Sequence, residues 1–557
     1  MEIENNKEMR KEGQKMKDRM PKLFQMMKGY SKEQFAKDVV AGVIVAIIAL
    51  PLSIALALAS GVGPEQGIYT AIVAGFVISF LGGSSVQISG PTAAFATIVA
   101  GIVATKGMSG LIVATVLAGI ILILMGAFKF GALIKFIPHT IVTGFTSGIA
   151  VTIVIGQLKD FLGLAFTHSP IETIEKVEEC IATIGTMNVT ALIIGLLALA
   201  IQIVWPKLNA KIPASLIAVI VTIVIVQSMN LDVNTIGSLY EISNKLPRPS
   251  LPQFNLQLVK DVLLDAFTIA ILAAIESLLS CVVSDGMVGD QHDPNTELIA
   301  QGAGNIASGI FGGIPATGAI ARTAANVKNG GRTPIAGMVH AIVLVLILVI
   351  LMPYAALIPM PTIAAILFMV AYNMCGWREF VDLVKMAPKS DVFVLLVTFI
   401  LTVVFDLVVA IEIGLLLAAI LFLKRMADVA EIRSWEYVEI PQDGFTVVPK
   451  GTLVYEVEGP MFFAAADKFM TVSVDKNTKV VILRMRSVPA MDVSALRKLE
   501  EVHTMCKKKG ITMLLSHVAE QPRRMMEKAG FVEKVGENNF CIHIQEALAK
   551  AEKLCRK

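Results

Sequence analysis

The chain has 557 residues, is 55% hydrophobic and carries a formal net charge of only +3, with a mean hydropathy of +0.71. That is too long and too apolar for a single soluble domain. The small charge gives no electrostatic basis for a nucleic-acid role. The six cysteines are scattered, with no C-x-x-C or zinc spacing, which fits free thiols.

Three zones follow in chain order. Residues 1–36 are basic and polar, with no apolar core of the kind a cleavable signal peptide needs. Residues 37–427 hold the apolar windows, each near the ~20 residues that cross a bilayer. Residues 437–557 have ordinary soluble composition. The spacing predicts spans near 37–60, 66–81, 91–105, 109–128, 139–162, 188–206 and 213–230. A second set falls near 262–285, 296–311, 318–328, 333–353, 358–373, 390–406 and 408–425. An amphipathic stretch near 171–186 is expected to lie on the membrane surface.

About fourteen spans put both ends on one side. Lys7, Arg10, Lys11, Lys15, Lys17 and Arg19 in the tail, then Lys129, Lys207, Lys328, Arg332, Arg378, Lys385 and Lys424 in alternate loops, make that side the cytoplasm. The loop near 163–187 is acidic and falls outside. The loop with Asp285, Asp290, Asp293 and Glu297 runs against the charge trend, but acidic residues count for little in this rule.

Two turns of small residues interrupt the apolar sequence at matching places. Gly82-Gly83-Ser84-Ser85 leads to Ser89-Gly90-Pro91-Thr92-Ala93-Ala94, and Gly312-Gly313-Ile314-Pro315 leads to Thr317-Gly318-Ala319-Ile320-Ala321-Arg322. Paired interruptions of this kind mark transporter binding sites. With seven spans per half, the second half enters the membrane inverted, so two short helices point their N-termini at each other. Each N-terminus offers unpaired N–H groups and partial positive charge, which suits an anion. Pro91 fits a first helical turn, Gly90 and Gly318 permit close backbone approach, and Thr92 offers a hydroxyl. Ala93, Ala94, Ala319 and Ala321 keep the floor open. The plainer explanation is that small residues merely allow tight helix packing.

Glu276, inside the eighth span, is costly there and expected to be functional. It can carry a proton, hold sodium, or pair permanently with Arg322. Arg322 in turn can offset the charge of an anion. Asp406 and Glu412, like Lys159 and Asp160, fall at span ends, and His139, His168 and His340 look isolated, on the surface or in packing.

In the last zone, strands are expected at 452–457, 480–485 and 511–515, with helices at 494–509 and 522–528. This is a small α/β domain with no P-loop, dinucleotide turn or catalytic triad. Asp492 is placed to cap the helix after it, and Ser494 is a candidate phosphorylation site.

Pro51-Leu52-Ser53-Ile54-Ala55, Gly67-Ile68-Tyr69-Thr70, Ser89-Gly90-Pro91-Thr92-Ala93-Ala94, Glu276-Ser277 and Arg322-Thr323-Ala324 resemble the SulP anion transporters, the sulfate permease or solute carrier 26 family. Gly459-Pro460-Met461-Phe462-Phe463-Ala464 and Asp492-Val493-Ser494 resemble its STAS domain. Ala274-Ile275-Glu276-Ser277-Leu278-Leu279 and Asp285-Gly286-Met287 look closest to the C4-dicarboxylate transporters of the DauA type. The resemblance implies an α-helical membrane protein, a seven-plus-seven inverted repeat with core and gate domains, ending in a cytoplasmic α/β STAS domain. It implies elevator-like alternating access and a homodimer in the inner membrane. Leu52, Leu56, Thr92, Ala93, Ala319, Ile320, Ala321 and Arg322 would line the site, and Glu276 matches the acid linked to cation coupling.

Many members have serines where this chain has Ala319 and Ala321, which weakens the case for sulfate. The expectation is therefore a transporter rather than an enzyme, without a cofactor, importing succinate, fumarate or aspartate with protons. Sodium-coupled transport of bicarbonate, or of sulfate, is the alternative. A passive channel is less consistent with Glu276, and a membrane-tethered signalling protein with the paired half-helices. The STAS domain is a place for a cytoplasmic protein partner.

Overall fold

The computed structural model describes residues 20–27, 29–132, 138–168, 170–209, 212–250, 255–405, 407–429, 431–435, 437–440, 444–464 and 477–556. It divides into two compact units, residues 1–415 and 416–557.

The first unit is helical. Its longer elements are α1 (Lys22–Met26), α2 (Lys32–Ala59), α3 (Pro64–Leu81), α4 (Ala96–Ala127), α5 (His139–Leu162), α6 (Thr173–Ala182), α7 (Val189–Leu208) and α8 (Ala214–Ser228). The second half holds α9 (Leu256–Val288), α10 (Pro294–Ile310), α11 (Ile320–Lys328), α12 (Ile335–Ala355), α13 (Met360–Cys375), α14 (Trp377–Met386), α15 (Lys389–Val404) and α16 (Leu407–Val429). Two short strands, β1 (Ser89–Gly90) and β2 (Thr317–Gly318), stand before α4 and α11.

A helix stands at each expected span. Among the described residues, eight are long and apolar enough to cross a membrane, and α8 is a shorter apolar helix. Helices α10 and α11 are more polar; α10 is mostly buried within the unit, and α11 buries Arg322, Thr323, Asn326 and Val327. The third and fourth spans form one continuous element broken at Gly107, whose φ of 66° and ψ of −176° lie outside the helical region. Glycine reaches that conformation without a Cβ clash. Ile342, Leu346, Val349 and Ile350 of α12 and Ile193, Leu196 and Ile203 of α7 are exposed, an apolar surface of the kind that lipid covers.

The helices sort into two packing groups. Helices α2, α3, α4, α9, α10, α11 and α12 form one, and α5, α7, α8, α13 and α15 the other. Each group draws helices from both halves of the chain, as an inverted repeat requires. Ahead of them, α1 is pinned by a bond from the Lys22 amide to the Gly82 carbonyl (2.9 Å), by Lys22 Nζ to Asp290 (2.9 Å) and by Phe24 on Phe80.

The amphipathic helix near 171–186 is present as α6. Helix α14 is a correction. The charges of Arg378 and Lys385 suggest a loop, yet Phe380, Leu383 and Val384 recur at helical spacing between them.

The second unit holds a five-stranded sheet in the order β3 (Glu431–Trp435), β6 (Thr452–Glu458), β7 (Val480–Ser487), β8 (Thr512–Ser516) and β9 (Phe540–Cys541). β3 runs antiparallel to β6, and the rest are parallel. A separate hairpin joins β4 (Tyr437–Ile440) to β5 (Gly444–Val447). The helices are α17 (Val493–Lys508), α18 (Glu520–Lys528), α19 (Phe531–Val535) and α20 (Ile544–Arg556). Alternate residues of the parallel strands feed opposite faces. Val481, Leu483 and Leu515 pack with α17 to α19, and Val480, Ile482 and Leu514 with α20. The expected strands and helices stand, and β3, the hairpin, β9, α19 and α20 are additional to them.

Asp492 is the cap of α17. One carboxylate oxygen accepts from the Ala495 amide and the other from the Phe463 amide, both at 2.9 Å. Ser494 is exposed in the first turn. All six cysteines are free thiols.

His503 and His517 should make this unit less stable in acid. Burial holds the His503 imidazole below its ordinary range, helped by Lys507 and Lys534, with Glu500 opposing. Burial does the same at His517, with Arg484, His543 and Arg486 adding to it. The folded values are depressed, so the unfolded chain takes up protons first as the pH falls below about 6.5. The stabilisation is present above that pH and is lost as the pH falls through the folded values. Thermal melts of the second unit at pH 7.5 and pH 5 should show a lower midpoint in acid, and the H503Q/H517Q double variant should show a smaller drop.

Candidate functional site

The two interrupted segments meet. β1 and β2 pair antiparallel, with Ser89 opposite Gly318 and Gly90 opposite Thr317. The Ala319 amide extends the pairing to the Ile88 carbonyl (2.9 Å). Beyond β1 the chain turns through Pro91 and Thr92 into a short 3-10 turn, Ala93–Phe95, and then α4. Beyond β2, Ala319 opens α11. Antiparallel strands leading into helices aim the two helix starts from opposite directions, as an inverted repeat predicts. Neither start is capped by a side chain, so both leave backbone N–H groups for a ligand.

Helix α9 holds both segments through adjacent residues. Thr92 Oγ1 donates to Glu276 Oε2 at 3.1 Å. Ser277 Oγ accepts from the Gly318 amide at 3.0 Å and shares a hydrogen with Thr317 Oγ1 at 2.6 Å. Thr317 Oγ1 also reaches the Ala273 carbonyl at 3.2 Å. Glu276 is therefore the carboxylate of this junction, tied to the start of the first half-helix.

The expected site residues divide by exposure. Thr92, Ala319 and Leu52 are half-buried, while Ile320 and Ala321 are exposed on α11. Ala93, Ala94 and Leu56 are buried, at 5%, 0% and 2% exposure. Gly318 is buried against the Gln87 amide group.

Arg322 is not where a permanent ion pair would put it. Arg322 is 1% exposed, whereas Ile320 and Ala321 just before it on α11 are exposed. Nη2 donates to the Pro91 carbonyl at 2.9 Å, while Nε and Nη1 have no partner among the described residues. Among the described residues no ion pair joins Arg322 to Glu276, whose carboxylate accepts from Thr92 instead. Arg322 works with its neighbours: Thr323 Oγ1 accepts from the Ile88 amide (3.0 Å) and Asn326 Nδ2 donates to the Val86 carbonyl (2.8 Å). This face of α11 braces the segment leading to the first half-helix, and its positive charge sits just behind Pro91.

A cavity of about 450 Å3 begins one turn beyond Thr92. Thr97, Gly101 and Thr105 of α4, Thr152 of α5, Lys176 of α6 and Asp265 of α9 line it. Lys106 pairs with Asp265 beside it. Among the other residues singled out, His139 pairs with Glu379 and His168 with Glu179, so neither is isolated. His340 is fully buried. Lys159 and Asp160 close α5, Glu412 is exposed on α16, and Asp406 lies outside the described residues. Sequence reasoning missed Ser277, Gln87, Glu297, Gln301 and Asn305. The last two were visible as polar residues four apart in an otherwise spanning helix.

Two opposed, uncapped helix starts inside a bundle of membrane-length helices define a transporter for an anion. The chain belongs to the sulfate permease family, whose pattern matches residues 35–398, with a STAS domain at 446–551. It is 39% identical to the putative sulfate transporter YvdB of Bacillus subtilis, over 93% of this chain and 98% of that one. It is 29% identical to the bicarbonate transporter BicA of Picosynechococcus, over 92% and 94%. Its fold is similar to that of the murine solute carrier 26 family member A9 anion transporter in the inward-facing state. That match has a TM-score of 0.86 at 19% identity and covers 96% of this chain and 94% of that one. The protein is thus a multi-pass anion transporter of this family and not an enzyme.

Proposed function

We propose that the protein is a secondary active transporter of a compact oxyanion, with bicarbonate as substrate and sodium as the cation coupled through Glu276. The observation that carries this reading is the β1–β2 junction, which sets two uncapped helix starts together beside the Thr92–Glu276 contact. A single focus of positive potential suits a compact monoanion. A C4-dicarboxylate carries two separated charges and calls for two. Sulfate needs many hydrogen bonds, and the hydroxyls here are already engaged: Thr92 on Glu276 and Ser277 on Thr317. The same oxygens, with the Ala273 carbonyl nearby, form the kind of hard donor set that an alkali or alkaline-earth cation prefers. BicA carries bicarbonate in its name, which agrees with this choice.

Alternating access would move the group of helices around α4 and α11 against the group around α5 and α13. By family resemblance the protein sits in the inner membrane as a homodimer with both ends cytoplasmic. The test is parallel uptake of labelled bicarbonate, sulfate and succinate into proteoliposomes under an inward sodium gradient, an inward proton gradient or neither. Sodium-driven bicarbonate uptake is expected. Proton-driven succinate uptake without a bicarbonate signal would return the dicarboxylate reading to first place.

A further inference from the structure

Helix α10 carries a polar stripe through membrane-length surroundings. Glu297, Gln301, Asn305 and Ser308 follow one another at intervals of three or four residues, which puts them on one face, and all four are buried. Each grips a segment that leads to the site. One oxygen of Glu297 accepts from the Gly83 amide at 2.9 Å and the Ser84 amide at 3.2 Å. The other accepts from Gln87 Nε2 at 2.7 Å and Gln301 Nε2 at 2.8 Å. Gln301 Nε2 also reaches Ser89 Oγ at 3.1 Å. Asn305 brackets Ala316, donating to its carbonyl and accepting from its amide, both at 2.9 Å. Ser308 Oγ donates to the Ile314 carbonyl at 2.7 Å.

One helix face therefore holds the approach to β1 and the approach to β2 together. The strands need that support. Their pairing is two residues long, and even a full isolated hairpin is marginal in water. The charge of Glu297 is also informative. It is 1% exposed and is met by four neutral N–H donors. Burying a carboxylate is costly unless its hydrogen bonds are complete, and here they are. Only a group with no hydrogen of its own can receive all four.

We propose that Glu297 is a positioning residue for the anion site. Its carboxylate, at the head of the α10 ladder, sets the register of β1 against β2 and with it the spacing of the two helix starts. It touches no substrate and acts through Gly83, Ser84 and Gln87. The inference rests on the β1–β2 junction being the anion site.

E297Q tests it, because an amide turns one acceptor into a donor facing donors. The E297Q/Q301E double variant supplies an acceptor again, opposite the new amide. Two readouts are taken on the full-length protein: KM and Vmax for bicarbonate, sulfate and succinate uptake, and hydrogen exchange of the amides in 83–90 and 316–319. For E297Q, KM is expected to rise about tenfold, since bonds to a charged group are worth roughly that much, with Vmax within about threefold. Exchange in both segments should quicken. The double variant should bring both readouts back to within about threefold of the parent. An unchanged KM with unchanged exchange would overturn the proposal, as would lower thermal stability with a normal KM in the folded fraction. If E297Q does not accumulate, E297D keeps the charge but not the reach and is held to the same outcomes. Should the parent protein transport none of the three anions, the substrate reading fails, and hydrogen exchange still decides the role of Glu297.

Discussion

Replacing Glu276 with glutamine should cut accumulation of the anion against its gradient about ten- to hundredfold while leaving exchange of labelled for unlabelled anion measurable. The change is nearly isosteric, and an amide oxygen still accepts from Thr92 Oγ1, which now sits 3.1 Å from the carboxylate. Ser277, next in sequence, keeps its hold on Gly318 and Thr317. The geometry of the two helix starts is therefore retained, and the variant should melt close to the parent temperature. What is lost is the charge. Among the described residues, Arg322 makes no ion pair with Glu276, and its one bond goes to the Pro91 carbonyl. The negative charge is thus available to a transported cation. Contacts to a charged group are worth roughly 1.5–3 kcal/mol, which corresponds to about a ten- to hundredfold loss of gradient-driven uptake. Uptake under an inward sodium gradient, set beside counterflow without a gradient, separates the two effects. A variant that accumulates anion as the parent does would remove Glu276 from the coupling step. Equal loss of accumulation and counterflow would make it a binding residue instead.

The site was legible where its chemistry is local. Gly82-Gly83 and Gly312-Gly313 interrupt apolar runs, and Gly90-Pro91 follows the first pair as Gly318 follows the second, so the pair of half-helices could be read without coordinates. Glu276 stood out because a carboxylate among Ala273, Ala274 and Leu278 has no ordinary reason to be there. Contacts across hundreds of residues were not legible. Glu297 looked like one more acid in an inner loop, yet it meets Gly83 more than two hundred positions away. Arg322 looked like a charge aimed at the ligand, but the turn of α11 puts it on the face that braces Pro91. Its charge can still act on the site through space. The two helix starts add partial charge of the same sign at the junction. The same limit applied to β3, whose pairing with β6 is a tertiary fact, and to α14, whose charges hid a helical period.

The second large effect concerns how α10 is held. Gly302→Val should cost most of the folded protein, and Gly302→Ala should leave a destabilised transporter with weakened substrate affinity. Helices α4 and α10 approach through facing glycines. A Cβ on Gly302 would lie 2.5 Å from the Gly119 carbonyl oxygen, and one on Gly119 would lie 2.6 Å from the Gly302 carbonyl oxygen. Both obstacles are backbone atoms, so no rotamer change relieves them and the helices must separate. Overpacking of this kind typically costs about 1–3 kcal/mol for modest additions, and a branched side chain adds more. The damage should reach the site, because α4 begins with the first half-helix and α10 carries Glu297, Gln301 and Asn305. Moving one helix away from the other strains the bonds to Gly83, Ser89 and Ala316. Gly286→Ala is the matched control: that glycine is helical, and a Cβ there would meet nothing within 4 Å. It should be neutral or stabilising by up to about 1 kcal/mol. Thermal unfolding in detergent, followed by uptake at several substrate concentrations, measures both effects. If Gly302→Val melted with the parent and kept its KM, the close glycine contact would not be what fixes α10, and the ladder it carries would have to be held in place by α3 and α9 alone.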